Sequence, residues 1–196
     1  MIRLQAPRFR QRLKLRISKY AARQGKLCRA VFFIERKQNV KILALDQSTK
    51  HTGWSYWENK GLVKYGVIDT NEDDPAFVRM ADMGIGIDKL VRKFKPDHVV
   101  FEQVQFQRNY KVFSQLSQLQ GIIMRILFVK KIPFTLVEPT KWRAFDGIKS
   151  RTREETKAEA IQTVKKKYYI DVSEDTAEAI GIGLWAIENV EETNNE

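Results

Sequence analysis

Cysteine and histidine are nearly absent from this chain, and their scarcity excludes two kinds of chemistry. A single cysteine, Cys28, cannot close an intrachain disulfide, so nothing argues for an oxidising compartment. His51 and His98 are the only histidines, and with one cysteine they cannot assemble a Cys/His zinc site of the usual kind. No apolar stretch approaches the roughly 20 residues needed to cross a bilayer. Charges are scattered through residues 1–20, where a signal peptide would carry an apolar core. Internal repeats are missing, and low complexity is confined to the polar tail at 191–196. The expectation is a cytoplasmic protein with no membrane segment. Its 196 residues leave room for one ordinary domain plus an appendage.

What the chain has in excess is positive charge, and it is unevenly placed. The net charge is +11, yet residues 1–41 hold thirteen Lys or Arg against one acid, Glu35, and so carry +12, while the remainder carries −1. A basic leader of this kind is an electrostatic footprint for nucleic acid; the plainer alternative is a solvated tail. Residues 12–17 alternate with period two and Val31-Phe32-Phe33-Ile34 is a second apolar patch, a pattern for an extra hairpin or an edge strand. The expected organisation is a basic extension over 1–38, a catalytic body over 39–190 and the tail at 191–196.

Within the body, residues 40–46, 52–58 and 62–69 predict three strands. A turn at 47–51 and another near Asn59-Lys60-Gly61 leave connections short enough only for an antiparallel meander. A helix over 75–94 follows, with Pro75 suited to a first helical turn, and Lys95-Pro96-Asp97 breaks it before a strand at 98–102. Then come a long helix at 110–130, a strand at 132–138, a short helix from Pro139, a basic loop at 146–153, a helix at 154–168 and a last helix from Ser173, a fitting N-cap, to about Asn189.

Two of these apolar runs end in one acid each, Ile42-Leu43-Ala44-Leu45-Asp46 and Val99-Val100-Phe101-Glu102, and Asp175-Thr176-Ala177-Glu178 opens the last helix. Open α/β sheets place their chemistry beyond strand ends, and residues three apart on a helix share a face. Four such carboxylates meeting in one cleft would suit a hard divalent cation, Mg²⁺ or Mn²⁺; without one they would raise one another's pKa. Taken singly, each has a plainer reading: strand-end acids serve turns and caps, and acids at a helix start complement its dipole. Asp69 also ends an apolar run, but in a meander it lies two strands from Asp46, roughly 10 Å away, and is left out.

The order of meander, helix, strand, helix, strand and final acidic helix is that of the ribonuclease H-like fold. The motifs Leu45-Asp46-Gln47-Ser48-Thr49, Phe101-Glu102-Gln103-Val104, Gln115-Leu116-Ser117-Gln118-Leu119-Gln120-Gly121 and Asp175-Thr176-Ala177-Glu178-Ala179-Ile180 resemble, in order and spacing, the Holliday-junction resolvases of the RuvC type, with divergent phage-type members nearest. The resemblance covers residues 40–190. It implies an α/β fold with a mixed five-stranded sheet and a metal-dependent, structure-selective endonuclease acting on branched DNA. It also implies Asp46, Glu102, Asp175 and Glu178 as ligands of two Mg²⁺ ions, replaceable by Mn²⁺, and products with 5′-phosphate and 3′-hydroxyl ends. Family lysines near the scissile phosphate match Lys141 and, past a longer loop, Lys157. Phe106, Arg108, Lys141, Arg143, Lys149 and Arg151 are the candidate DNA contacts.

This chain departs from the family pattern twice. Glu178 stands where Asp is common, and Phe106 lies four residues after Glu102, where bacterial members place an aromatic at the third. Val112, Phe113, Leu116, Leu119, Ile123 and Ile126 form an apolar stripe that Ile122, Leu127 and Phe128 broaden. One face of that helix can cover the sheet, and the resemblance implies a homodimer for the rest. The competing readings are an inactive junction-binding protein on the same scaffold and a phosphotransferase of the actin-like class. The second would need a further lobe and Gly-rich nucleotide motifs, whereas Gly181 and Gly183 sit inside an apolar helical run.

Overall fold

The computed structural model describes residues 40–106, 109–150 and 152–190. The expectations for residues 1–38 and 191–196, and the candidates Arg108 and Arg151, lie outside the described residues. The elements run β1 (Lys41–Asp46), β2 (His51–Glu58), β3 (Gly61–Asp69), α1 (Ala76–Phe94), β4 (His98–Glu102), α2 (Tyr110–Lys130), β5 (Phe134–Val137), α3 (Pro139–Phe145), α4 (Arg153–Tyr168) and α5 (Glu174–Asn189). The five strands form one sheet in the order β3-β2-β1-β4-β5. β1 pairs antiparallel with β2 and parallel with β4, so the meander and the parallel half meet at the central strand. This is the mixed sheet with an antiparallel meander that the resemblance implied.

Side-chain alternation along β1 and β4 divides the core in two. Leu43, Leu45, Val99 and Phe101 face α1 and α2, where they pack on Met83, Ile87, Leu119 and Ile123. Ile42, Ala44 and Val100 face the opposite side, against Ala177, Ile180 and Leu184 of α5 and Ala160 and Val164 of α4. Each large side chain taken fully out of water contributes about 1.5–3 kcal/mol. The parity matters for the site, because Asp46 and Glu102 fall on the α5 side.

The connections hold the register. Asp97 Oδ2 accepts from Lys41 N at 3.1 Å and Asp97 N donates to Lys41 O at 2.8 Å, which fixes Ile42 beside His98. The β2–β3 turn places Asn59 and Lys60 at φ of 53° and 64°, the two-residue reversal that suits the twist of a hairpin. β5 is shorter than the expected 132–138. Lys131 at φ 56° closes α2 by donating to Leu127 and Phe128, Ile132 N also caps Leu127 O, and Pro133 has no N–H to give.

By averaged hydropathy and length, α2 meets the requirement for a bilayer span, which corrects the expectation that no stretch would approach it. In the fold, Leu119, Ile123 and Leu127 are fully buried on the sheet, and the other residues of the helix are half-buried or exposed. The buried seam is therefore one residue in four, narrower than the stripe read from sequence. Ile122 and Ile126 border a groove against Gly84 and Ile85 of α1, and Phe128 and Val129 are exposed at 80% and 62%.

Candidate functional site

β1 and β4 end side by side, with Leu45 opposite Phe101, so Asp46 and Glu102 leave adjacent parallel strands about 4.8 Å apart. Both face α5 by the parity above. Ser173 caps α5 by accepting from Thr176 N at 3.4 Å, which sets the helical phase that turns Asp175 and Glu178 together. The helix start can approach this edge because Gly53, the partner of Asp46 across the sheet, has no side chain. A Cβ there would lie 1.9 Å from the Asp175 carbonyl oxygen, a separation no methyl group can adopt.

Asp46, Glu102, Asp175 and Glu178 thus border a single cleft of about 1030 Å³. Burial holds the Asp46 carboxyl well above the usual carboxylate range, and Glu178, Glu102 and Asp175 push it the same way. Burial also raises Glu102, opposed by the Trp142 indole and Arg143. Glu178 is raised by burial against the pull of Arg143 and Lys157. Among the described residues no three Asp, Glu, His or Cys side chains converge as a ready-made metal cluster. A cation stands between two of these acids. Arg143 Nη2 stands 3.5 Å from Glu178 and 3.8 Å from Glu102. An all-oxygen donor set, crowded and with carboxyl pKa values raised by burial, fits a hard divalent cation, whose charge would offset the crowding.

The basic residues divide differently from expectation. Lys141 pairs with Glu138 at 3.3 Å, is 60% exposed and is not among the residues lining the cleft. Arg143, predicted only as a DNA contact, is the cation between them. Lys157 reaches the cleft, where it pairs with Glu174. Arg153 and Arg79 also line the cleft, and sequence reasoning passed over both. Lys149 is exposed at the loop, its backbone N donating to Glu159 at 2.9 Å. Phe106 is 78% exposed and stands edge-on to Phe113 at 5.4 Å.

Two glutamines brace the strand ends. Gln47 Nε2 donates to the Glu102 carbonyl at 2.9 Å and to Gln120 Oε1 at 3.2 Å, and Gln120 Oε1 also accepts from Val104 N at 3.0 Å. The Gln of the first motif and the last Gln of the α2 motif therefore tie β1, β4 and α2 together beneath the site. Asp69 bonds His51 Nδ1 at 2.8 Å, out on β3, as its exclusion required.

A family model for crossover junction endodeoxyribonuclease RuvC matches residues 42–184. The RuvC crossover junction endodeoxyribonuclease of Orientia tsutsugamushi (strain Ikeda) is 34% identical over 104 residues; these span 51% of this chain and 65%, just under two thirds, of that relative. The RuvC of Fusobacterium nucleatum is 26% identical over 159 residues, 77% of this chain and 82% of its own length. Among solved structures, Thermus thermophilus RuvC in complex with Holliday junction substrate superposes with a TM-score of 0.64 at 15% identity, covering 78% of this chain and 96% of that one. The yeast mitochondrial Holliday junction resolvase Ydc2 gives 0.52 at 17% identity, covering 79% and 82%. At these identities the two structures establish the shared fold.

Proposed function

This chain belongs to the RuvC family of crossover junction endodeoxyribonucleases, and from that premise we propose that it is a metal-dependent endonuclease cutting branched DNA, four-way junctions above all. The observation that carries the reading is that Asp46, Glu102, Asp175 and Glu178 all line one cleft at the C-terminal edge of the parallel strands.

Those four carboxylates would hold two divalent cations, Mg²⁺ with Mn²⁺ able to substitute. When bound, such a pair activates the attacking water and neutralises the leaving 3′-oxygen of an in-line displacement. No side-chain nucleophile is needed, and the reaction leaves 5′-phosphate and 3′-hydroxyl ends. Arg143 and Lys157 supply fixed positive charge where the scissile phosphate gains negative charge. Arg143 is well suited to this, since a guanidinium offers a planar fork of donors to phosphate oxygens. Lys141, Lys149, Arg108 and Arg151 contact the flanking backbone, contributing affinity and register without reading sequence. Phe106 offers a ring to an unstacked base at the branch.

The basic extension over 1–38 adds phosphate contacts to those of the nuclease body at 39–190. The exposed apolar flank of α2, with its groove against α1, is the surface for a two-fold mate. A homodimer presents two sites to a two-fold symmetric junction and incises opposed strands. The protein acts on DNA in the cytoplasm. Incubation with four-way, forked and linear duplexes in Mg²⁺ tests the reading. Wild type should cut the four-way DNA, while Asp46→Asn should bind it with little change and leave it intact. Cleavage by Asp46→Asn at near wild-type rate would overturn the assignment.

A further inference from the structure

Glu102 is held by a residue outside the carboxylate set. Trp142, in α3, is fully buried, and its indole Nε1–H donates to Glu102 Oε2 at 2.8 Å. An indole has one polar group and can only donate, and burying it without a partner is costly. The bond therefore fixes both sides: the ring must present its N–H to β4, and the carboxylate must turn one oxygen to the ring.

The ring itself is clamped. On α5, Gly181 leaves the space it fills, since a Cβ at that position would come 2.8 Å from ring carbon Cζ3 and 3.0 Å from Cε3. Arg143 lies over the indole with its guanidinium carbon 5.1 Å from the ring centroid. That same guanidinium is the cation between Glu102 and Glu178. The indole bond and the 3.8 Å approach of Arg143 to Glu102 both fall on Oε2.

We infer that Trp142 is a positioning residue for metal binding: its indole N–H pins Oε2 of Glu102 and so presents Oε1 to the cation. The inference rests on the reading of Glu102 as a metal ligand. A hydrophobic core position would be served equally well by phenylalanine, whereas positioning requires the N–H.

Trp142→Phe keeps an aromatic ring and removes the donor. Binding of Mn²⁺ to the full-length protein, followed by the electron paramagnetic resonance signal of the free ion, should weaken by about 10-fold, the size typical of lost support to a metal ligand. The Mg²⁺ concentration for half-maximal cleavage of four-way DNA should rise by the same factor, with the rate at saturating Mg²⁺ largely restored. Glu102→Gln should itself weaken Mn²⁺ binding, and Trp142→Phe should add little on that background, because the two act as one unit. Wild-type Mn²⁺ affinity in Glu102→Gln would overturn the metal-ligand reading and this inference with it. Weakened binding in Glu102→Gln alongside Trp142→Phe within twofold of wild type would overturn the positioning role alone. Should Trp142→Phe lose its cooperative thermal transition, the wild-type protein decides. The Trp142 indole N–H resonance is expected to shift with Mg²⁺ saturation, and a resonance that stays put refutes the inference.

Discussion

Gly53→Ala is the sharpest test of how the fold assembles its site. The added methyl carbon would sit 1.9 Å from the carbonyl oxygen and 2.3 Å from the carbonyl carbon of Asp175. Such contacts essentially never fall below 3.0 Å, so β2 and the first turn of α5 must separate by at least about 1.1 Å. Both partners are backbone, one in a sheet and one in a capped helix, so no side-chain rotation relieves the clash. Forcing a methyl into a closed contact of this kind costs about 1–3 kcal/mol, with the upper half expected here. The displacement falls on the turn that carries Asp175 and Glu178, while Asp46 stays with its strand. A shift near 1 Å between groups that act together costs on the order of 10²-fold in rate. Single-turnover cleavage of four-way DNA at saturating Mg²⁺ should therefore fall about 100-fold. Circular dichroism at the assay temperature should still report a folded protein, and DNA binding should hold within a few-fold. A variant that cuts within threefold of wild type with an unchanged melting temperature would refute the claim that this contact sets the carboxylate geometry.

Two further predictions concern stability away from the reacting groups. Burial raises Asp146 from an ordinary 3.8 to about 7, against the pull of Lys167. Its contribution to stability is thus complete below pH 3.8 and lost as pH rises through about 7. With solvent screening discounting the full shift, Asp146→Asn should be more stable than wild type by roughly 1–2 kcal/mol at pH 8.5 and close to it at pH 4; urea melts at the two values check this, and a constant difference would refute it. Lys60 holds a left-handed conformation at φ 64°, so Lys60→Gly should raise stability by about 0.5–1 kcal/mol, with little offset from its exposed pair with Glu188 at 3.2 Å. A lowered midpoint in urea would count against that account of the turn.

The strand carboxylates were legible because two local signals coincide: an apolar run that reads as a buried strand, and one acid where the run stops. The register of the pair, Leu45 beside Phe101, then puts Asp46 and Glu102 on the same face. Asp175 and Glu178 were legible from helical spacing and the Ser173 cap. Asp69 stops an apolar run just as Asp46 does, and only strand order separates them, β3 at the edge against β1 at the centre.

The positive side of the site was harder to read, for a geometric reason. Along a helix each residue turns about 100° from the last, so which of Lys141 and Arg143 faces the acids depends on where α3 begins and how it docks. The start at Pro139 was legible, but seven residues give too short a periodic pattern to fix how the helix docks. The structure begins α3 at Pro139 and buries Trp142. That aims Arg143 at Glu102 and Glu178 and leaves Lys141 to Glu138. The bond from Trp142 to Glu102 joins residues 40 apart in sequence, and the Gly53 contact joins β2 to a helix more than a hundred residues on. Neither pairing leaves a periodic trace. The acids are written into single strands and one helix start, but the groups that neutralise and orient them come from α3 and α4. Substitutions in α3 should therefore change how firmly the acids are held without removing any of them, which is the behaviour that separates Trp142→Phe from Glu102→Gln.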